Sequence, residues 1–330
     1  MGYIKPFVTI LTPVYNGEKY LEECIKSVIS QDYDNWEYII VNNCSTDSTA
    51  DIAIYYSGID TRIRLHNNTK FLDMIDNHNF AFSMISTKSK YCKMVSSDDI
   101  LFPSCLAKLV GLAEAHPNVA IVGSYQLSGS TIRWKGIPPD EETVSGKDVC
   151  RKTLLEKHFV FGPPTSVLYR SDLIRENTPF FPNKFLHADT SLFYKVLKNN
   201  DLGFVHDVLS VERIHEKQAS SFANKLHIGV AAYLDIFLEY GREYLSEVEY
   251  DTRKEEILTN YNYWLGGCIL KMYSIEFWNY HLDRLRKLGY PVRTRKLLRG
   301  ILREIHSELR DPKEALRKAF RVFICREKLE

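Results

Sequence analysis

Short apolar runs and longer amphipathic stretches alternate along the first part of the chain. Residues 7–12 (FVTILT) predict a buried strand. The polar turn after it carries Asn16, which predicts the cap of a helix over about 18–31, with Leu21, Cys24, Ile25, Val28 and Ile29 on one face. A strand is predicted over 36–41 (WEYIIV), then a helix from about Asp47, a strand over 62–66, a helix over 73–85 and a strand over 91–95. Strands alternating with helices in this way predict a parallel, doubly wound sheet. After Ala115 the pattern loosens. It predicts strands over 119–125, 165–169 and 204–213, helices over 146–158 and 189–198, and loops or a hairpin over 126–144. Beyond Lys217 strand signals vanish. Helical spacing continues through Ile257, Tyr261, Trp264, Leu265, Cys268, Ile269 and Met272, and again through Leu297, Leu298, Ile301, Leu302, Ile305 and Leu309. Asp311 to Glu314 has the form of a further helix start. These shifts place a domain boundary near residue 217. The aromatics of the helical part, Tyr261 and Trp264 among them, are expected in its core or at a subunit interface.

Composition narrows the class. A chain of 330 residues, 45% hydrophobic and 26% charged, can bury a sizeable core. No apolar run is long enough to span a bilayer, and nothing at the N-terminus has the form of a signal peptide. The seven cysteines are scattered, without a CxxC pair, which argues against a disulfide framework or structural zinc and for a reducing compartment. The expected location is the cytoplasm. The net charge of +1 hides an asymmetry: residues 284–330 hold 15 Lys plus Arg against 6 Asp plus Glu, while the preceding residues hold 28 against 36. Arg and Lys opposite Leu and Ile between Arg293 and Arg303 fit either a solvated face or a helix lying on an anionic leaflet. Nucleic acid is not an expected partner, because no aromatic-plus-basic single-strand motif accompanies the charge.

The most informative local feature is KYCKMVSSDDILFP, where Asp98 and Asp99 stand together at the end of a strand. Adjacent carboxylates repel, and a divalent cation or a sugar hydroxyl removes that cost. In open α/β sheets ligands bind at the carboxyl ends of strands. Acids in the first turn of a helix are the plain alternative. The first turn, TPVYNGE, is neither a G-x-G-x-x-G nor a G-x-x-x-x-G-K, which disfavours a nicotinamide site, a P-loop and a nucleotide-sugar pyrophosphorylase.

Six segments in order resemble the family-2 glycosyltransferases of the GT-A fold: VTILTPVYNGEKYLEECIKSVISQ, VNNCSTDST, HNFAF, VSSDD, HADTSLFYKV and RIHEKQASS. The resemblance covers about residues 7–216. It implies a GT-A doubly wound, mainly parallel sheet flanked by helices over 1–216, with a nucleotide-sugar half (1–100) and an acceptor half (101–216). A C-terminal helical domain (217–330) with a basic tail (284–330) would follow. It further implies an inverting enzyme of the hexosyltransferase type that moves a sugar from a nucleotide-sugar donor, UDP-sugar favoured, to a hydroxyl of a surface glycan or lipid-linked acceptor. By this resemblance Asp189 is the general base, and Asp99 and His215 hold Mn²⁺ or Mg²⁺. Pro13, Tyr15, Glu18, Asn43, His78, Asn79 and Asp98 would bind the nucleotide sugar. Apart from the resemblance, the cysteine usage places the chain in the cytoplasm, the basic C-terminal helices allow a peripheral place on the inner face of the membrane, and a homo-oligomer is a further expected partner state. Four positions depart from the family pattern. Asn42 and Asn43 stand where acids are usual, His78 where Arg is usual, and Ala188 where Glu is usual. Asn43 can still accept a ring N–H through its carbonyl oxygen, but without charge. These departures motivate an alternative, a catalytically degenerate partner or glycan-binding subunit. Two bland roles also stand: Asp189 as a helix cap, and paired prolines in FGPPTS (161–166) as a plain connector rather than an acceptor-pocket wall.

Overall fold

The computed structural model describes residues 5–156, 160–182, 187–215 and 218–310. The chain divides into two compact units, 1–218 and 219–330. In the first, β1 (Val8–Val14), α1 (Leu21–Ile29), β2 (Trp36–Asn42), α2 (Thr49–Ile59), β3 (Ile63–Asn67), α3 (Met74–Ser83) and β4 (Tyr91–Met94) alternate as the periodicity predicts. Then come β5 (Ile100–Leu101), α4 (Cys105–Ala115), β6 (Val119–Ser128), β7 (Thr131–Arg133), β8 (Thr143–Val144) and α5 (Gly146–Glu156). A 3₁₀ turn (Pro164–Ser166) precedes β9 (Val167–Arg170), α6 (Ser171–Glu176), α7 (Ala188–Val196) and β10 (Asp201–Glu212).

The sheet order is β3-β2-β1-β4-β9-β6-β10-β5. β1 pairs in parallel with β2 and β4, and β2 with β3, whereas β9 runs antiparallel to both β4 and β6. The chain therefore winds outward through β2 and β3, then returns to the other side of β1. That reversal is a topological switch point, and it opens a crevice at the carboxyl ends of β1 and β4. Every residue of β1 is buried, as expected for a central strand covered on both faces. Leu21, Cys24, Ile25 and Val28 of α1 pack beneath it in the core.

Several expectations need revision. α1 begins at Leu21, after a 3-residue delay relative to residue 18, and Asn16 does not cap it. Asn16 sits at φ 51° and its side chain instead accepts from the amide of Thr46 at 2.9 Å. Its backbone amide donates to Ser45 Oγ at 2.9 Å, so the first turn is tied to the second rather than to its own helix. Asp189 is not the cap of α7, a position held by His187. The strand expected over 165–169 starts two residues late, because Pro163 and Pro164 set a 3₁₀ turn. β6 runs on to Ser128 and forms a hairpin with β7.

The second unit is helical: α8 (Ala219–Leu226), α9 (Ile228–Tyr244), α10 (Glu247–Ile269), α11 (Ile275–Lys287) and α12 (Thr294–Arg310). A capping box of Ser246 and Glu249 starts α10. The core holds Tyr233, Tyr240, Tyr244, Tyr261 and Phe277. His281 is buried there. Its Nε2 donates to the carbonyl of Leu226 at 2.8 Å, so its Nδ1 accepts from the Tyr261 hydroxyl at 2.5 Å. Among the described residues no helix is long and apolar enough to cross a membrane. The helix start expected at Asp311 lies outside the described residues.

Candidate active site

β4 delivers the two carboxylates. Its continuation is held to β1, where Val95 N donates to Leu11 O and the Thr12 hydroxyl donates to Val95 O, both at 2.9 Å. Immediately after the acids, β5 pairs antiparallel with β10, matching Leu101 to Ser210 and Ile100 to Val211. That register carries the end of β10 back over the acids. The amide of Arg213 reaches Asp99 Oδ1 at 3.4 Å, and His215 Nε2 lies 2.9 Å from Asp98 Oδ2. Residues more than a hundred positions apart thus form one cluster. His215 is steadied on two sides: its amide donates to Gln218 Oε1 at 2.8 Å, and its ring lies 4.9 Å from that of Tyr20. Arg213 covers the Tyr20 ring at 5.1 Å and pairs with Glu23.

The two acids differ in surroundings. The side chains of Asp98 and His215 keep 25% and 19% exposure, enough for a ligand to reach them. Asp99 is buried, and desolvation together with its neighbour Asp98 pushes its carboxyl up to about 7. The Thr165 hydroxyl and the Arg213 amide act in the opposite direction. Asp99 and His215 are the pair expected around a metal; in the structure the His215 ring bonds the adjacent Asp98. The reason is local: Asp99 turns inward towards residues 165 and 213, which leaves its neighbour on the crevice side.

Sequence reasoning overlooked what stands behind the acids. Lys93, wholly buried on β4, donates from Nζ to the carbonyls of Pro164, Thr165 and Val167, at 3.3 Å for the first and 3.0 Å for the last. Burial pushes its ammonium down to about 8. This fixes the 164–167 segment so that Thr165 Oγ1 can accept from Ser96 N at 3.0 Å, which braces the turn holding the acids. The signal was a lone Lys inside the apolar run YCKMV. FGPPTS therefore does more than connect: its Thr165 supports the acid turn.

On the β1 and β2 side, Pro13 belongs to β1, paired with Val41. Tyr15, half exposed, meets the equally exposed Phe71 edge-on at 5.0 Å. Phe71 was not foreseen, since it lies in an irregular segment. Glu18 accepts from Ser48 N at 3.1 Å, and its own amide donates to Asp47 Oδ2 at 3.1 Å. Asn43 is buried. Its Oδ1 accepts from Leu72 N at 2.9 Å and Asn68 Nδ2 at 3.0 Å, while its Nδ2 donates to Leu72 O at 2.8 Å. The carbonyl oxygen expected to accept a ring N–H therefore already has two donors. Asn79 is similarly occupied, accepting from Phe181 N at 2.8 Å and donating to Phe181 O at 3.2 Å. His78 donates from Nδ1 to Met74 O at 2.6 Å and stacks on Phe181 at 6.0 Å; burial lowers its pKa.

Asp189 lies in the first turn of α7, accepting from Thr190 N at 2.7 Å. Burial raises its carboxyl above the usual range, with His187 opposing. Its charge acts on Tyr169, whose buried hydroxyl has no hydrogen-bond partner among the described residues. Among those residues no hydrogen bond or ion pair joins Asp189 to Asp98, Asp99 or His215. Nor do three or more His, Cys, Asp or Glu side chains gather around one point. The two aspartates and His215 offer carboxylate oxygens and one nitrogen, a set that fits Mn²⁺ or Mg²⁺ only with other ligands, such as phosphate oxygens and water, completing the shell.

With this geometry in place, comparison with known proteins decides the family. The model of glycosyl transferase family 2 matches residues 9–177, just over half of the chain. The chain belongs to glycosyl transferase family 2. As a member of that family it is a glycosyltransferase. A Haemophilus influenzae protein described as an uncharacterized glycosyltransferase is 28% identical over 235 residues, spanning 66% of this chain and 69% of its own. Among solved structures, Staphylococcus aureus TarS 1–349 in complex with UDP-GlcNAc aligns with a TM-score of 0.63 at 19% identity, covering 91% of this chain and 88% of that one. Mannosyltransferase PcManGT from Pyrobaculum calidifontis, in complex with GDP-Man and Mn²⁺, aligns at 0.56 and 16% identity over 92% and 88% of the two chains. At these identities the structural likeness shows the fold: a GT-A sheet with a helical region after it.

Proposed function

We propose that this family-2 enzyme is an inverting, metal-assisted transferase that uses a UDP-sugar donor and a hydroxyl of a surface glycan or lipid-linked glycan as acceptor. The observation that carries the reading is the approach of His215 to Asp98 at 2.9 Å, at the switch point of the sheet. A pyrophosphate bound there would sit where cationic charge is needed. Asp99 and His215 would hold Mn²⁺ or Mg²⁺, which would neutralise charge on the departing diphosphate, with Asp98 on the ribose or the sugar. Asp99 stands beside Asp98 on the same turn, braced by the Arg213 amide. Tyr15 and Phe71 would flank the base, with Pro13 and Glu18 shaping the first turn. Asn43, Asn79 and His78 would hold the walls of the nucleotide site.

The chemistry is one displacement. The acceptor oxygen forms a bond to the anomeric carbon as the bond from that carbon to the diphosphate oxygen breaks, and the diphosphate keeps the electron pair. Asp189 takes the acceptor's proton. Its burial raises its basicity, and such general-base help is worth about 10²–10⁴-fold in rate. Residues 1–100 would form the donor half and 101–216 the acceptor half. The enzyme would work in the cytoplasm at the inner face of the membrane.

Thermal denaturation tests the reading: UDP with Mn²⁺ should raise the melting temperature, and Asp189→Asn should keep that rise while losing transfer. Diphosphate release across a panel of nucleotide sugars then identifies the donor. A second reading, a non-catalytic partner or glycan-binding subunit, draws support from the doubly engaged oxygen of Asn43. It predicts no rise with any nucleoside diphosphate plus metal, together with stable association with another transferase.

A further inference from the structure

α12 shows to solvent the row of side chains that its periodicity marks for burial. Leu298, Leu302, Ile305 and Leu309 recur at intervals of three and four, forming one stripe. All four are exposed, Leu302 at 65% and Leu309 at 72%. A contiguous exposed apolar stripe marks an interaction surface rather than a scattered surface residue.

Packing fixes the rotation that exposes it. A Cβ on Gly300 would lie 2.1 Å from the carbonyl oxygen of Tyr263, and one on Gly266 would lie 2.2 Å from that of Leu297. Glycine at both positions lets the α10 and α12 backbones touch, and no bulkier residue fits. Lys296 bonds the Thr259 hydroxyl towards one end of the pair, and Lys271 meets Glu304 at 3.0 Å towards the other. The side of α12 bearing Leu297, Gly300 and Glu304 is therefore committed to α10, and the stripe faces away from it.

Charge selects the occupant. On the helical wheel Arg295 and Arg299 line one border of the stripe and Arg310 lies beyond them, while Arg303 covers the Tyr263 ring of α10 at 4.0 Å and Glu304 is drawn to the packed side by Lys271. We propose that this face lies in the plane of an anionic bilayer leaflet, with the leucines and isoleucine below the headgroups and the arginines at the phosphates. An antiparallel two-fold pairing of the stripe with a second copy would instead crowd both arginine borders into one seam. The inference deepens the peripheral-membrane part of the reading above, and does not depend on the donor assignment.

Co-sedimentation of the full chain with vesicles tests it. Binding is expected to phosphatidylglycerol-containing vesicles and not to pure phosphatidylcholine, and to weaken as salt rises. The double variant Leu298→Glu/Leu302→Glu should bind about tenfold less or weaker still. Its melting temperature and its UDP–Mn²⁺ rise should match wild type, since both positions are exposed. The proposal is overturned by unchanged binding of the variant, by equal binding to neutral vesicles, or by no binding at all. It is also overturned if sedimentation velocity finds a wild-type dimer that the variant breaks, which would assign the face to a second copy. Vesicle binding without any nucleotide-dependent rise would leave this inference standing while removing the donor reading.

Discussion

The two sides of the crevice use polar side chains in opposite ways. On the side built by the β4 turn and the end of β10, Asp98 and His215 face each other at 2.9 Å and both keep partial access to solvent. On the side built by the β2 turn and α3, Asn43 and Asn79 spend their amides on the backbones of Leu72 and Phe181. The first arrangement is costly without a ligand, because a carboxylate pair lies close together; the second is complete without one. A polar residue at a motif position can thus be a ligand on one wall and a clamp on the other. Hydrogen-bond satisfaction separates the two roles.

The largest effect expected from this contrast is on Asp98. Asp98→Ala should lower transfer by about 10²–10³-fold, as when a transition-state charge partner is removed, with little change in melting temperature. A variant with near-normal turnover would break the contrast. The helical unit supplies a clamp that titrates. His281 has both ring nitrogens engaged, and burial depresses it from 6.5 to about 4. A depressed histidine binds fewer protons folded than unfolded, so its contribution is full above pH 6.5 and is lost as pH falls from there towards 4. Denaturant unfolding of wild type and His281→Phe should show a steeper acid loss for wild type in that window; parallel curves would refute the assignment.

Asn79→Ala should cost about 1–3 kcal/mol in unfolding free energy, because it strands the amide and carbonyl of Phe181. If Asn79 were mainly a nucleotide ligand, the loss would appear in donor KM with stability unchanged. The smallest effect falls on the exposed rim. Tyr15→Ala should weaken UDP binding by about 0.5–1.5 kcal/mol, read by calorimetry, if the ring pair with Phe71 holds a base. No change in affinity would return Tyr15 to a packing role.

Much of the site was legible in the chain, for identifiable reasons. The alternation of apolar runs with amphipathic stretches announced the βα units up to β4, because strands covered on both faces read as short continuous apolar runs while a helix such as α1 keeps a 3.6-residue apolar stripe. Short elements escaped. β5 has two residues, too few to carry a period, yet its pairing with β10 is what brings His215 to the acids. Lys93 escaped because a lysine inside a strand argues for an edge or an exposed face; only the three carbonyls of the 164–167 segment explain a buried one.

The sequence by itself determined the family, the order of the elements, the presence of the acid pair and the apolar stripe of α12, since each is a matter of residue type and spacing. The tertiary structure decided which of two adjacent aspartates meets His215, which asparagines are already spent, and which way the stripe points. Those outcomes depend on strand register, on burial and on the closeness of two helix backbones. All three are set by contacts between segments far apart in the chain, which local pattern does not encode.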